Sequence, residues 1–559
     1  MVEGGASIMP TITVSKSDIE SLIGKRLPSE VDKLNDIFQY VGGEVESVNE
    51  DSIEVEIKCR NRPDLWCAEG IARELRGALG IDAGLVKYSS KPSGVTLKVD
   101  PSVKTIRPLI AAAVVKDIHI TEELLLQMIQ LQEKVCMTYG RKRKSAAMGI
   151  YDFDKVIGDV TYKAADPKTK FIPLEFENEM ELRDILEVHP KGNEYAHLLK
   201  YFKKYPLVVD SENNVLSMPP VINSNYSGKV SEDTRNLFIE VTGDDWETVH
   251  TSLLIAVCSL ADRGARIESV KVKYSDKTIV TPNFSPKKWK INVSEINNRL
   301  GLNLTPKNVC SILAKGRYSA EASKEELSLE IPCYRADILH NVDIIEDVAI
   351  MYGYSNFTPQ SIDISTSGKL SELTKFSNKI RELMVGFGVQ EVQTFTLTSK
   401  EILADKINLE SEMVKIENPM SSSYEYLRNS IWPMLIDFLG KNTNREYPQK
   451  IFEVGEVVIP NSKAETKSDT VKKLAYASAS AETNFTEAKQ VAFTLLSSLG
   501  KEMKVRELEH TTFIPGRAGE IIVNEEVVGI IGEVSPEVLS NFGIELPLAI
   551  FEIHLSKLF

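Results

Sequence analysis

Cysteine is sparse and unpaired in this chain. Six occur in 559 residues, at positions 59, 67, 136, 258, 310 and 333, and no two form a C-x-x-C pair. Neither a zinc ribbon nor a disulfide framework is indicated, and reduced thiols in a cytosolic protein are the simpler reading. Histidine is as thinly spread. The seven at 119, 189, 197, 250, 340, 510 and 554 include no pair at tight metal-ligand spacing, and each reads as an ordinary structural or surface side chain. Long apolar runs are missing too. The most apolar stretch, 253–261, falls far short of the roughly 20 residues that cross a bilayer. The opening MVEGGASIMP lacks a basic region followed by an apolar run, so no secretory signal is expected.

Familiar catalytic signatures are also absent. Gly228-Lys229, Gly368-Lys369, Gly440-Lys441 and Gly500-Lys501 all lack the Ser or Thr that completes a phosphate-cradling loop. There is no G-x-S-x-G elbow and no H-E-x-x-H. Gly386-Phe387-Gly388 is followed at 391 by Glu rather than Gly, so it marks a helix end rather than a dinucleotide fingerprint. Net charge is −14, from 66 Lys+Arg and 80 Asp+Glu, which argues against a protein that coats nucleic acid non-specifically but leaves room for a local basic patch.

What is present is an ordinary globular composition, 42% apolar and 26% charged, long enough for three to five domains. Residues 1–90 read as a small α/β module: Ile53, Val55 and Ile57 alternate with Glu54, Glu56 and Lys58 as in a half-buried strand, and Ile71, Leu75 and Leu79 follow at helical spacing before Gly80. A polar stretch at 88–94 suggests a boundary. A second block, 108–280, mixes apolar strands at 110–115 and 207–209 with helices at 122–135 and 246–262. Residues 276–286 read as a linker. A third block, 283–358, carries helix signals at 293–300 and 307–313 and a strand at 327–331. The last, 369–559, opens with a helix near 370–385 and becomes strand-rich at 450–458 and 520–531. No internal repeat is evident.

Three segments carry candidate chemistry. Asp337, Asp343, Glu346 and Asp347 crowd together, the last three at i, i+3, i+4 on the polar face of a helix. A hard cation such as Mg²⁺ would relieve their repulsion. The plainer alternative, favoured on the residues alone, is an acid-rich helix start that suits the macrodipole. Tyr139-Gly140-Arg141-Lys142-Arg143-Lys144 is the densest basic run, either a solvated loop or the landing point for RNA phosphates. In 236–244, Phe238 and Glu240 alternate with Ile239 and Val241 before Thr242-Gly243. That strand end aims a carboxylate and a hydroxyl one way, as a small polar pocket requires, or as an edge strand facing solvent does.

Seven segments together resemble the β chain of phenylalanyl-tRNA synthetase in its archaeal and eukaryotic-cytosolic form. They are CRNRPDLWCAEGIARELRGALG (59–80), YGRKRKSAAMGIYDFD (139–154), HPKGNEYAHLL (189–199), VLSMPPVINS (215–224), FIEVTGDD (238–245), IPCYRADILHNVDIIEDVAIMYGY (331–354) and IENPMSSSYEYLRNS (416–430). They fall in the family's order and cover nearly the whole chain.

The resemblance implies an α+β multidomain protein. Its parts would be an N-terminal α/β module, a tRNA-editing (B3/B4-like) domain over 108–280, a small B5-type helix/strand module over 283–358 and a class II synthetase-like antiparallel-sheet domain over 369–559. That last domain would have lost catalysis and would serve as the interface with α; Arg428 stands in Tyr-Leu-Arg-Asn with no acid two residues on. Its partners would be the synthetase α subunit, in an (αβ)₂ tetramer, and tRNA(Phe), with neither membrane nor DNA. The α chain would hold phenylalanine and ATP, and the complex would be cytoplasmic. The family assigns Mg²⁺ to acids matching Asp337, Asp343, Glu346 and Asp347, which shifts the carboxylate reading to the metal.

The family's editing pocket matches Val208, Ser217, Glu240 and Thr242, with Val208 in place of a frequent Leu and Glu240 in place of a frequent archaeal Asp. An apolar pocket rejects an added hydroxyl only modestly, so a synthetase for phenylalanine needs a second site that recognises tyrosine. Glu240 is expected to accept a hydrogen bond from the tyrosine phenol, with Ser217 and Thr242 placing the ester or the attacking water. No Ser/His/Asp triad is apparent, so water is the expected nucleophile. The chain resembles the shorter type of β subunit, without the ferredoxin-like anticodon-binding domain that ends bacterial forms. Two competitors remain: a non-catalytic RNA-binding or scaffolding protein on the same folds, and a free-standing hydrolase of mischarged tRNA.

Overall fold

The alternation at Ile53, Val55 and Ile57 produces the strand Ser52–Ile57, the middle of a three-stranded sheet between Thr11–Ser15 and Gly43–Val48. This arrangement comes from a computed structural model, which describes residues 11–362, 364 and 366–559. Helix α1 (Ala68–Ala78) follows with Cys67 as its N-cap, and it is buried nearly all round, Glu69, Arg73 and Glu74 included. A sheet this small cannot bury such a helix alone. Its core instead takes in Leu131 and Val135 of α2 (Glu122–Met137), Ile255 and Cys258 of α3 (Trp246–Asp262), and Tyr334. Gly77 shows how close the packing is: a Cβ there would lie 2.1 Å from the Lys315 carbonyl oxygen of the helix Pro306–Lys315. The first three blocks of the sequence thus share one compact unit, 1–360, and residues 361–559 form a second.

Ten strands of the first unit make one sheet. They are β1 (Lys91–Val99), β2 (Leu109–Lys116), β3 (Ala146–Asp152), β4 (Val160–Ala165), β5 (Tyr205–Val209), β6 (Val215–Met218), β7 (Ile222–Asn223), β8 (Leu237–Gly243), β9 (Arg266–Lys273) and β10 (Thr278–Thr281). Their order is β7-β6-β5-β4-β1-β9-β2-β8-β3, with β10 also paired to β9. The polar stretch read as a boundary therefore overlaps β1, which lies parallel between β4 and β9, and the stretch read as a linker holds β10. One face of β8, Leu237, Ile239 and Val241, packs with residues of α2 and α3. From the other face Phe238 joins Val208, Tyr151, Tyr162 and Ala112 in an inner core. The sheet curls until its end strands meet: Asn223 of β7 donates to the Ile150 carbonyl of β3 at 3.3 Å.

The third block folds as a three-stranded sheet, Lys287–Asn292, Glu326–Ile331 and Ser319–Ser323, under the helices Val293–Leu300 and Pro306–Lys315 and α4 (Asn341–Tyr352). The second unit is a seven-stranded sheet, antiparallel except for its short edge strand Gln390–Glu391. Helices Glu372–Gly386 and Phe485–Ser498 pack on one face, Trp432–Gly440 and Pro536–Asn541 on the other. Its Arg428 is 2% exposed, and its guanidinium is consumed by Glu453 at 2.6 Å, the Glu456 carbonyl at 2.9 Å and the Thr394 hydroxyl at 2.7 Å. No described helix is long and apolar enough to cross a membrane.

Candidate functional site

Every residue of β8 is buried, so the carboxylate that the alternation places at Glu240 is buried too, with 2% of its surface exposed. Room for it comes from its cross-strand neighbours, Ala112 on β2 and Gly149 on β3. A Cβ at Gly149 would lie 2.1 Å from the Tyr151 hydroxyl and 2.6 Å from Glu240 Oε1. That hydroxyl sits between two partners, 2.9 Å from Glu240 Oε1 and 2.7 Å from Ser217 Oγ on β6. A phenol has one proton to give. With the carboxylate ionised, Tyr151 donates to Glu240 and Ser217 donates to the Tyr151 oxygen. The other carboxylate oxygen, Oε2, is buried and has no hydrogen-bond partner. Burial pushes the Glu240 carboxyl up to about 7, against the opposing pull of the Tyr151 hydrogen bond and the Arg107 charge.

Ser217 and Glu240 open onto a cavity of about 490 Å³ between the two ends of the curled sheet. Its walls are mainly apolar: Met128 and Ile129 from α2, Met148 and Ile150 from β3, and Pro219, Val221 and Ile222 beside β6 and β7. Polar groups on the lining include Gln132, Asn223, Asn225, Lys191, Lys229 and Arg143, and the lining contains neither histidine nor cysteine. A cavity of this size, mostly apolar with few polar groups, is the usual form of a small-molecule site.

The four expected pocket residues divide evenly. Ser217 and Glu240 reach the cavity. Val208 does not: it is fully buried in the inner core, opposite Ser217 in the β5–β6 register. Nor does Thr242, whose hydroxyl accepts from Arg107 Nε at 2.9 Å and whose carbonyl accepts from the same guanidinium. Three contributors were not singled out by sequence reasoning: Tyr151, Gly149 and Arg107. The signal for Tyr151 was its alternation with Met148 and Ile150, one step off the face they share; Arg107 carried none beyond being a lone cation before an apolar strand.

The basic run divides as well. Arg141, Lys142 and Arg143 take left-handed φ values of 50°, 53° and 64°, a turn that leaves Arg141, Lys142 and Lys144 exposed and directs Arg143 inward. There it donates to the carbonyls of Pro220 (3.1 Å) and Val221 (2.9 Å) and lies 4.2 Å over the Tyr195 ring. His189 serves structure, capping the helix Pro190–Tyr195 and donating to the Leu174 carbonyl through Nε2.

The four carboxylates expected to hold magnesium are not gathered round a common point. Arg335 grips Asp337 through two hydrogen bonds, at 2.8 and 2.6 Å, and reaches Asp347 Oδ2 at 2.7 Å. That oxygen also accepts from the Tyr318 hydroxyl at 2.5 Å. Asp343 Oδ2 caps α4 by accepting from the Leu339 and His340 amides. Glu346 is exposed. Among the described residues no three His, Cys, Asp or Glu side chains are grouped to hold a metal ion. Asp337 and Asp347 belong instead to a buried ionic network that joins α1 to the third block: Arg62 binds Asp64 at 2.8 Å and Glu74 at 3.3 Å, and lies 4.0 Å from Asp337. Burial pushes the Asp337 carboxyl up, but Arg335 and Arg62 together outweigh it and hold it below its ordinary value.

Comparison with known proteins covers nearly the whole chain. The B3/4 domain matches residues 123–254, the tRNA synthetase B5 domain 289–354, and the phenylalanyl-tRNA synthetase beta chain CLM domain 360–555. A phenylalanine–tRNA ligase beta subunit of Thermococcus sibiricus is 46% identical over 553 residues, 98% of either chain. The corresponding Pyrococcus horikoshii protein is 46% identical over 99% of this chain and 100% of its own. The crystal structure of an N-terminal fragment of the Pyrococcus horikoshii phenylalanyl-tRNA synthetase beta-subunit superposes with a TM-score of 0.60 at 45% identity, covering 62% of this chain and all of that one.

Proposed function

The chain belongs to the phenylalanine–tRNA ligase beta-subunit family, and from that premise we propose that its ten-stranded sheet carries an editing site for tRNA(Phe) mischarged with tyrosine. The observation that supports this reading is the orphaned, buried Oε2 of Glu240, a residue on the lining of a mainly apolar cavity. A tyrosine ring fills such a space and its phenol proton satisfies that oxygen. A phenylalanine ring leaves the oxygen unpaired, at a cost of about 1–3 kcal/mol, or roughly 5- to 150-fold in favour of tyrosine. Ser217 and Thr242 already spend their hydroxyls on Tyr151 and Arg107. The ester and the attacking water are therefore assigned to the polar part of the lining, near Asn223, Asn225 and Lys229. Arg141, Lys142 and Lys144 offer exposed charge to the phosphates of the tRNA end.

Charging itself is assigned to an α chain that holds ATP and phenylalanine, in an (αβ)₂ assembly in the cytoplasm. The second unit is assigned support rather than catalysis, a reading favoured by the inward bonding of Arg428 to Glu453, Glu456 and Thr394. Magnesium on this chain is limited to Asp343 and Glu346, which keep carboxylate oxygens free, with water completing the shell as Mg²⁺ usually requires. Asp343→Asn with Glu346→Gln should abolish magnesium-dependent stabilisation of the chain; an unchanged magnesium titration in the double variant defeats that assignment.

The complex reconstituted with its α chain should hydrolyse Tyr-tRNA(Phe) faster than Phe-tRNA(Phe), and should charge phenylalanine only when both chains are present. Equal rates on the two esters would refute the editing reading. Charging without the α chain would refute the division of labour. The match along the full chain, second unit included, speaks against a free-standing hydrolase and against a scaffold that merely reuses the folds.

A further inference from the structure

We propose that Tyr151 is a positioning residue for phenol recognition: it occupies Oε1 of Glu240 and so leaves Oε2 as the single acceptor that meets the ligand. The proposal rests on the editing reading and goes beyond it, because nothing in the pocket's chemistry requires a second protein phenol. A carboxylate with both oxygens free could bind a ring hydroxyl in several poses. Here one oxygen is bonded at 2.9 Å to a side chain that is itself fully buried, and the other has no partner. Ser217 completes the device. Its hydroxyl lies 2.7 Å from the Tyr151 oxygen, and when it donates there the Tyr151 proton is left for Glu240, which favours the ionised, accepting form of the carboxylate. Gly149 keeps the space clear, since any Cβ would intrude on both atoms of that hydrogen bond.

The charged and titratable groups facing Glu240 come from four directions. They are Arg107 ahead of β2, Cys136 on α2, Tyr151 on β3 and Tyr162 on β4. Around the cavity stand Arg143, Lys191 and Lys229 with Glu133 and Glu175. Of these, Tyr151 alone hydrogen-bonds the carboxylate. Its removal should therefore change the pH at which the site begins to work, whereas a merely structural side chain would lower the rate equally at every pH.

The test is the pH profile of Tyr-tRNA(Phe) deacylation by the reconstituted complex, as kcat/KM from pH 5.5 to 8.5, for the wild type, Tyr151→Phe and Ser217→Ala. Tyr151→Phe should move the acid limb up by about 1–2 pH units, the equivalent of one hydrogen bond to a charged group, so that its profile is still rising at about pH 8.5. Ser217→Ala should move it in the same direction by less, and phenylalanine charging should be unchanged in both. An unmoved acid limb with a uniform loss overturns the proposal while the editing reading stands. Should Tyr151→Phe fail to fold, the Ser217→Ala profile decides, and an unmoved limb there overturns it equally. A wild-type complex that spares both esters removes the editing reading and the proposal with it.

Discussion

Glutamine in place of Glu240 should stabilise the protein, and only above acidic pH. Burial raises this carboxyl from its ordinary 4.5 to about 7. The folded chain therefore keeps a proton that the unfolded chain has already released between those values, so folding stability falls as pH rises through the interval. Below 4.5 both states are protonated and nothing is lost; above about 7 the loss is complete. At 1.36 kcal/mol per pH unit the total is about 3 kcal/mol. Glutamine has nearly the same shape and does not titrate. Wild type and Glu240→Gln should thus be similar near pH 4.5 and diverge until the variant leads by about 3 kcal/mol at pH 8. Urea unfolding of the full chain, run in parallel on both proteins at half-unit steps, reads this difference directly. A gap that stays constant across the range would refute the claim that the carboxylate is held against its own burial. The same variant should edit poorly, stability and activity trading against each other at one side chain.

Two further perturbations address the surroundings. Gly149→Ala should push Tyr151 off Glu240, costing about 1–3 kcal/mol as overpacked sites do, and should cut Tyr-tRNA(Phe) hydrolysis while sparing phenylalanine charging; editing at the wild-type rate would mean that the contact is dispensable. Arg335→Met should strand Asp347 without its cation, leave Asp337 only the more distant Arg62, and destabilise the first unit by about 3–5 kcal/mol, visible as a lowered melting temperature; an unchanged melt would show the network to be idle. Because Asp337 is held below its ordinary 3.8, its contribution to stability is full above that value and disappears as pH falls through the lowered one.

Local pattern carried much of the architecture. The helix expected at 246–262 is Trp246–Asp262, that at 293–300 is Val293–Leu300, and the strand at 450–458 is Gln449–Pro460. Gly353 and Gly388 end their helices with φ of 91° and 76°. The strand-rich stretch at 520–531 turned out to be two strands, Phe513–Val523 and Glu526–Val534, folded back at Asn524 and Glu525 in left-handed conformation. Apolar residues on both sides of that two-residue turn hid it.

Long-range partners were not legible. Arg62 and Arg335 lie 273 positions apart yet share Asp337, and no periodicity says which cation a carboxylate will meet. The same limit explains Thr242, which alternation put on the correct face of β8 but whose hydroxyl Arg107 had claimed. Glu240 could be placed because the strand pattern and the resemblance agreed on it. Tyr151 could not, since its place depends on the pairing of β3 with β8 and on the curl that brings β3 beside β6.

The central claim is that one buried carboxylate tells tyrosine from phenylalanine. The ratio of Tyr-tRNA(Phe) to Phe-tRNA(Phe) deacylation rates, measured on the reconstituted complex with wild-type chain and with Glu240→Ala, tests it most directly. The account predicts a ratio well above one that collapses by roughly 10- to 150-fold in the variant, the worth of a charged hydrogen bond of about 1.5–3 kcal/mol, while phenylalanine charging persists. An identical ratio in the two proteins would contradict it.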